Sequence, residues 1–142
     1  MSDEIYAELV ISSENLTPDQ INTLIDIKYD KSYLKGDTIH PSIIRVKRNA
    51  WIMCSRVNRN APLQAHVEDI LNRVFSKIVN FKELAEQHDV EVDFNCVVNT
   101  LDRPAMFFTK EQVAAIYKMG ASIDIDLYIL PRKQRKPKIN ST

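Results

Sequence analysis

Glycine is scarce in this chain, since Gly36 and Gly120 are the only two among 142 residues. A loop that cradles phosphate groups needs several glycines close together, so the Walker and Rossmann signatures are excluded. Cysteine is equally rare, and Cys54 and Cys96 lie far apart in stretches that are predicted to be strands. Two such cysteines are typical of reduced core residues rather than of a disulfide framework.

Long apolar runs are also missing. No segment approaches the roughly 18 apolar residues that a membrane-spanning helix requires. The start of the chain, MSDEIYAEL, has no basic region followed by an apolar core. We therefore expect a soluble, cytoplasmic protein with no membrane contact. At 44% hydrophobic residues, 142 residues suffice for one compact domain.

Net charge is formally zero, but it is unevenly distributed along the chain. The last twelve positions contain five basic residues and no Asp or Glu: Arg132, Lys133, Arg135, Lys136 and Lys138. Residues 1–130 therefore hold 14 basic against 19 acidic residues, a net charge of −5. We predict a single α/β domain over residues 1–130 and a basic, disordered tail over residues 131–142. The tail is interpreted as a solvated terminus, with a nucleic-acid contact as the alternative.

Hydrophobic spacing predicts alternating strands and helices along the domain. Residues 5–12 alternate as a half-buried strand does. Thr17 to Gln20 then carry the capping threonine, first-position proline and glutamine of a helix start. Residues 63–78 form the longest amphipathic helix, and residues 81–88 continue or kink from it. Residues 90–99 alternate again and are predicted to be a second amphipathic strand.

The region between the first two helices has weaker signals. Residues 28–41 lack clear periodicity and are predicted to be a long ordered loop. Residues 43–47 and 50–57 are predicted to form a β-hairpin about a tight turn at Arg48-Asn49.

The C-terminal part of the domain has the clearest local pattern. Thr109 and Gln112 have the spacing of a capping box, and Gly120 supplies the left-handed residue that ends such a helix. The next residues alternate strictly, so one row of side chains is predicted to be buried: Ile123, Ile125, Leu127 and Ile129. The opposite row consists of Ser122, Asp124, Asp126 and Tyr128.

The order of these elements indicates the fold class. Strand, helix, hairpin, helix and strand follow the split β-α-β order of a ferredoxin-like sandwich. We predict an α+β, two-layer ferredoxin-like sandwich extended by a C-terminal helix and strand. Its sheet is expected to be largely antiparallel, with helices on one face and the other face open to water.

The outward side chains of this sheet are the main candidate site. If the first, fourth and last strands share the sheet, the open face gathers Glu8 with a predicted partner-binding set: Glu91, Asp93, Asn95, Asp124, Asp126 and Tyr128. Like charges on neighbouring strands destabilise a sheet. The face is therefore either the solvated side of the sheet or a surface kept for a partner.

Signals for catalysis are weak. Asp124 and Asp126 suit a shared metal or an acid and base pair only if a further ligand such as Asp93 is added. The histidines show no metal-ligand spacing, and each is expected at the surface or at an element boundary: His40, His66 and His88. We assign no catalytic residue, no metal ligand and no cofactor, and an enzyme is less favoured than a binding protein.

A weaker candidate site lies in the loop region. It comprises the turn Lys35-Gly36-Asp37 together with Trp51. The turn is expected to be an ordered structural element, and Trp51 is expected to anchor the core or the hairpin.

Five features occur together along the chain: the turn Lys35-Gly36-Asp37, the hairpin tryptophan Trp51, an amphipathic helix, a Val-rich strand ending near Cys96-Val97-Val98, and the C-terminal MGASIDIDLYIL. In this order they resemble the bacterial family called domain of unknown function 4279, over nearly the whole chain up to Leu130. The resemblance implies a compact α/β domain of the bacterial cytosol and brings no reaction or catalytic residue with it. Some members look like immunity proteins of polymorphic-toxin loci, which suggests the same role here.

The leading hypothesis is a non-catalytic protein-binding domain, an immunity protein that neutralises a cognate basic toxin through the acidic sheet face. One alternative is a small metal-dependent enzyme that uses the same carboxylates. Another is a nucleic-acid binder that works through the basic tail. The sequence leaves the oligomeric state open.

Overall fold

The computed structural model describes residues 3–39 and 45–130. Its strands are β1 (Glu4–Ser13), β2 (Lys31–Tyr33), β3 (Asn49–Cys54), β4 (Val90–Thr100) and β5 (Ser122–Ile129). Its helices are α1 (Pro18–Ile25), α2 (Leu63–Val74), α3 (Ile78–Gln87) and α4 (Lys110–Lys118), with a 3₁₀ turn at Phe75–Lys77 between α2 and α3.

The strands form one five-stranded sheet in the order β2-β3-β1-β4-β5. β1 lies at the centre and pairs antiparallel with β3 on one side and with β4 on the other. β2 pairs antiparallel with β3, whereas β5 pairs parallel with β4. The first four strands have the arrangement of a ferredoxin-like sandwich, and β5 extends it at one edge. The predicted α+β fold is confirmed.

The core lies between one face of the sheet and the helices. Ala7, Leu9 and Ile11 of β1 are fully buried and alternate with half-exposed residues on the opposite face. Val67 and Ile70 of α2 belong to the same buried cluster. The alternation of β1 therefore assigns one sheet face to the core and leaves the other without helices.

Capping boxes begin α1 and α4, as predicted. In α1 the Thr17 hydroxyl accepts from the Gln20 amide at 3.2 Å, and the Gln20 side chain accepts from the Thr17 amide at 2.9 Å. Thr109 and Gln112 repeat this arrangement at 3.1 and 3.0 Å. Just beyond α4, Gly120 adopts φ +71°, a backbone conformation that residues with a side chain rarely adopt.

The predicted hairpin about Arg48-Asn49 is wrong. β3 pairs with β1 on one edge and with β2 on the other, and β2 lies inside the stretch predicted to be a loop. Residues 43 and 44 lie outside the described residues, and Arg45 makes a single isolated bridge to Thr38. Asn49 is the first residue of β3 because its side chain is held in place: it accepts from the Lys35 amide at 2.8 Å and donates to the Leu16 carbonyl at 2.9 Å.

The predicted burial of one β5 row is also wrong. Every residue of β5 is exposed. The helix that precedes it, α4, packs on α2 and α3 instead of on β5. Gln112 fixes this placement by donating to the Gln64 carbonyl at 3.1 Å and to the Glu68 carboxylate at 2.9 Å. β5 is therefore an edge strand whose apolar row is left uncovered by the described residues.

Asn22 of α1 connects this helix to β3 through the buried tryptophan. The Trp51 indole N–H donates to the Asn22 side-chain oxygen at 2.7 Å, and the Tyr29 amide donates to the same oxygen at 3.1 Å. The Trp51 ring also meets Phe81 of α3 edge to face, with ring centroids 6.1 Å apart. The predicted role of Trp51 as a core anchor is confirmed, since it is fully buried.

We expect Asn22→Ala to lower the free energy of unfolding by about 1–3 kcal/mol, because it leaves the buried Trp51 N–H without an acceptor. Urea denaturation measures this difference. The neighbouring Thr23 is exposed, so Thr23→Ala is expected to change stability by less than about 0.5 kcal/mol. Equal effects of the two substitutions would contradict the assignment.

Candidate functional site

The open sheet face carries the predicted partner-binding residues. β4 contributes Glu91, Asp93 and Asn95, and β5 contributes Asp124, Asp126 and Tyr128. All six stand on the side of the sheet away from the helices, because they alternate with the inward residues of the two strands. We call this set the carboxylate face.

The parallel pairing of β4 with β5 sets the spacing of these groups. Asn95 lies beside Asp124, and Asp93 lies beside Ser122, at the usual strand separation of about 4.8 Å. Asp126 lies beside Val97. Each aspartate therefore has a neutral neighbour directly across the pair, and the carboxylates approach one another only diagonally. This offset lowers the repulsion that the sequence alone suggested.

Cations neutralise the acidic groups on the other half of the open face. Lys31 of β2 lies 3.0 Å from Glu8 of β1. Arg59 lies 2.9 Å from Glu4 and 4.2 Å from the centre of the Tyr6 ring.

The half of the open face formed by β4 and β5 is different. Arg48 approaches Glu91 at 3.6 Å. Within residues 3–39 and 45–130, however, Asp93, Asp124 and Asp126 make no ion pair. The negative charge on this half is concentrated next to the edge of the sheet.

The pKa of Asp93 reflects the charges on the carboxylate face. Partial burial raises the pKa of its carboxyl above the ordinary aspartate value, and the negative charges of Glu91 and Asp124 raise it further. These causes favour the protonated form, and none of the cations among residues 3–39 and 45–130 opposes them. A cation brought to this face by a partner would lower the pKa of Asp93.

The two cysteines are free and neither is activated as a nucleophile. Burial raises the pKa of Cys54, as does Glu8, whose carboxylate lies 3.7 Å from the sulfur. Burial raises the pKa of Cys96 to about 12. Both groups are thiols near neutral pH, whereas nucleophilic attack requires the thiolate.

His66 is fully buried, so the expectation of a surface or boundary position is wrong for this residue. Its Nδ1 lies 2.8 Å from the Ser55 hydroxyl, which also accepts from the Ala7 amide at 3.0 Å. Burial lowers the pKa of His66, although the carbonyl groups of Asn58 and Ala61 oppose this effect. The pair connects α2 to the sheet. The spacing of His66 from the apolar residues of α2 could have indicated its burial, since it falls on the same helical stripe.

A polar cluster around Asp30 was not foreseen from the sequence. The Asp30 carboxylate accepts from Arg56 at 2.7 Å, from Arg73 at 2.9 Å and from the Cys54 amide at 2.7 Å. Burial alone would raise the pKa of Asp30, but these three donors hold it below its usual range. The donors come from distant parts of the chain, so no spacing in the sequence pointed to them. The cluster attaches the end of β3 to α2.

The loop candidates do not form one site with Trp51. Lys35-Gly36-Asp37 is an ordered turn, as expected: Asp37 accepts from the Leu34 amide at 2.7 Å, and Gly36 has φ +94°. The Lys35 ammonium pairs with Glu14 on the surface. Trp51 points instead into the core against Phe81.

A shallow cleft of about 310 Å³ lies where β4 leads toward α4. Its polar lining residues are Asp3, Asn60, Thr100, Asp102 and Arg103. The Thr100 hydroxyl donates to the Asp3 carboxylate at 2.9 Å, and no histidine or cysteine is among the lining residues.

No helix among residues 3–39 and 45–130 is long and apolar enough to cross a membrane. In the same part of the chain, no group of three or more His, Cys, Asp or Glu side chains is arranged to hold a metal ion.

The family described as Domain of unknown function (DUF4279) matches residues 3–130. The chain belongs to this family. No curated protein matches it significantly, and no solved structure does. The residues that match DUF4279 include β1 to β5 and therefore the whole carboxylate face. The tail from residue 131 lies outside the match.

We expect Asp93→Asn to raise the free energy of unfolding near pH 7. The folded chain binds the Asp93 proton more tightly than the unfolded chain does, because the pKa is raised on folding. The ionised carboxylate therefore lowers stability above its folded-state pKa, and this effect disappears as pH falls toward the ordinary value of 3.8. The gain in free energy of unfolding from Asp93→Asn should therefore shrink as pH falls over this range. Urea denaturation at a series of pH values measures it.

Glu83→Gln is the matched control, because Glu83 is exposed on α3 and the substitution removes the same charge. Its effect should stay near zero across the series. If Asp93→Asn is no more stable than the wild type near pH 7, a cation must already compensate the Asp93 carboxylate, and the electrostatic account of this face is wrong.

Proposed function

We propose that this chain is a non-catalytic protein-binding domain whose carboxylate face receives a basic partner. The observation that carries the proposal is the presence of three aspartates without an ion pair in the described residues, Asp93, Asp124 and Asp126, on an open sheet face. The other half of the same face mixes charges of both signs, as the pair of Lys31 and Glu8 shows. A surface kept only for solubility gains nothing from separating the charges in this way.

In its more specific form, the proposal is that the chain is an immunity protein of the bacterial cytoplasm. Its partner is a toxin whose basic surface would otherwise bind nucleic acid. Complementary charge speeds the encounter of two proteins and opposes unsuitable partners. A toxin held on the carboxylate face would present its own cationic surface to Asp93, Asp124 and Asp126, and that surface would no longer be free for a polyanion.

The structure gives less support to a catalytic role. The raised pKa values of Cys54 and Cys96 do not support a nucleophilic role for either thiol. The buried His66 is hydrogen-bonded to Ser55. A metal-dependent reaction would need a further ligand beside Asp124 and Asp126, and the described residues hold no such group. The basic tail on which a nucleic-acid contact would depend lies outside the described residues.

A binding measurement with a toxin domain encoded beside this chain tests the proposal. In Asp93→Asn/Asp124→Asn/Asp126→Asn, three charges are removed with little change of side-chain size. We expect the association rate constant to fall by about tenfold at low salt and by less at high salt, because electrostatic steering is screened. Surface plasmon resonance gives the rate constants, and a toxin activity assay gives the loss of neutralisation.

The control variant removes three charges from helices on the opposite side of the molecule: Glu83→Gln, Glu86→Gln and Glu111→Gln. These glutamates are exposed on α3 and α4. Their substitution should leave the association rate within about twofold of the wild type. If both triple variants lose affinity equally, net charge alone is responsible and the carboxylate face is not the binding surface. Unchanged affinity of the aspartate variant would also overturn the proposal.

A further inference from the structure

We infer that the free edge of β5 accepts one extended segment of the partner, in which cationic and apolar side chains alternate. This inference rests on the proposed function, since it specifies how the partner meets the carboxylate face. Within residues 3–39 and 45–130, β5 has an unpaired outer edge, an uncovered apolar row and an acidic row, and the inference comes from this combination.

The edge is available for backbone pairing. β5 is the last strand of the sheet and pairs with β4 on one side. The Leu130 amide donates to the Thr100 carbonyl of β4 at 2.9 Å, which fixes the residues that point inward. The N–H and C=O of one residue lie on the same side of a strand and alternate along it. The outward groups therefore belong to Ile123, Ile125, Leu127 and Ile129.

The carboxylates of Asp124 and Asp126 protect the edge of β5 against a second acidic strand but not against a cationic one. Other protection is missing: natural edges are short, bulged, or carry lysine or proline, because an unprotected edge recruits other chains. β5 is eight residues long and contains neither residue type. Its helix-side row is 37–44% exposed: Ile123, Ile125, Leu127 and Ile129. An uncovered apolar row next to unpaired amides is the arrangement that strand addition uses.

A second copy of this chain does not suit the edge. Residues directly opposite in an antiparallel pair lie on the same sheet face. The two longest pairings of β5 with itself that keep the apolar row continuous place Asp124 opposite Asp126 of the second copy, or Asp126 opposite Asp126 of the second copy. Both set carboxylate against carboxylate, which destabilises the pair.

The composition of the chain's own C-terminal tail does not suit the edge either. PRKQRKPKINST supplies cations for Asp124 and Asp126 but has a single aliphatic residue, Ile139, for the apolar row. Its prolines also lack the N–H that a strand ladder requires. The occupant is therefore a segment of another protein that satisfies both rows at once.

A strand of alternating composition meets all three requirements. Its cationic side chains lie over Asp124 and Asp126, and its apolar side chains extend the row of Ile125 and Leu127. Its backbone pairs with the outward amides of β5. Main-chain hydrogen bonds hold such a strand, and the alternating side chains determine which sequences bind.

The probe is an end-capped eight-residue peptide that alternates arginine and valine. A second peptide has the same composition with the arginines and valines grouped in blocks. Each is titrated into the full-length ¹⁵N-labelled chain. We expect the alternating peptide to bind at least about tenfold more tightly than the block peptide, because only alternation matches the two rows. In the alternating complex, the outward amides should shift and exchange more slowly with solvent: Ile123, Ile125, Leu127 and Ile129.

A double variant and a matched double control test the apolar row. Ile125→Lys/Leu127→Lys places charge on the apolar row, and its control Val113→Lys/Tyr117→Lys makes the same kind of change at exposed positions of α4. The first variant should lose at least about tenfold in peptide affinity and the control should not. An ¹⁵N spectrum that matches the wild type outside β5 shows that the variant is folded.

Three outcomes would overturn the inference. Equal affinity for the two peptides, or binding without protection of the β5 amides, would mean that cations are held on the carboxylate face without strand addition. That result would leave the proposed function standing. A wild-type dimer that Leu127→Lys dissociates would show that a second copy occupies the edge. If the alternating peptide does not bind at all, the inferred kind of occupant is wrong. The proposed function itself fails if the basic toxin binds the aspartate variant as tightly as the wild type, or if the aspartate and glutamate triple variants lose affinity equally.

Discussion

The central position of β1 is the constraint on which the rest of the structure depends. Its pairing with β3 and β4 on its two sides joins the two halves of the sandwich into one sheet. Leu9 and Ile11 are fully buried beneath the helices, while Glu8 and Val10 face the other way. Both helical connections cross on the same side, as expected for right-handed crossovers. The second face of the sheet therefore lies open, and its side chains are free to meet another molecule.

Charge divides that open face into two parts. On the side of β2 and β3, basic side chains such as Lys31 lie against the carboxylates and neutralise them. On the side of β5, the added parallel strand brings Asp124 and Asp126 next to β4 and places them at the edge of the sheet. The same strand leaves its apolar row uncovered, because α4 packs on the other helices. α4 and β5 extend the ferredoxin-like order, and this added unit is thus the part that exposes an apolar row and a row of carboxylates. Binding another molecule would cover the first row and neutralise the second.

Much of this architecture could be predicted from local sequence signals. The capping boxes at Thr17 and Thr109 and the strands β1, β4 and β5 were predicted from short-range patterns, and each was confirmed, although the predicted burial of one β5 row was not. The shared face of Asp93 and Asp124 followed from alternation together with the strand order. These predictions succeeded because side-chain parity along a strand does not depend on distant residues.

The errors concern properties that depend on distant residues. β2 is three residues long, too short for a period to show, and its pairing with β3 depends on bonds from Asn49 to Lys35 and Leu16. Alternation in β5 distinguished two rows of side chains but gave no information on whether a helix covers the apolar row. The cluster at Asp30 joins residues 24 to 43 positions apart, so no local pattern revealed it. The error for His66 had a different cause, because its place on the apolar stripe of α2 already indicated its burial.

The central proposal is that a basic partner neutralises the carboxylate face, on which Asp93, Asp124 and Asp126 make no ion pair within residues 3–39 and 45–130. The most direct measurement is the titration of the Asp93 side-chain carboxyl by ¹³C NMR in the full-length chain, alone and with the alternating arginine and valine peptide. The account predicts a pKa above the ordinary value of 3.8 for the chain alone and a lower pKa when the peptide is bound. A pKa at or below the ordinary value in the free chain, unchanged by the peptide, would contradict it.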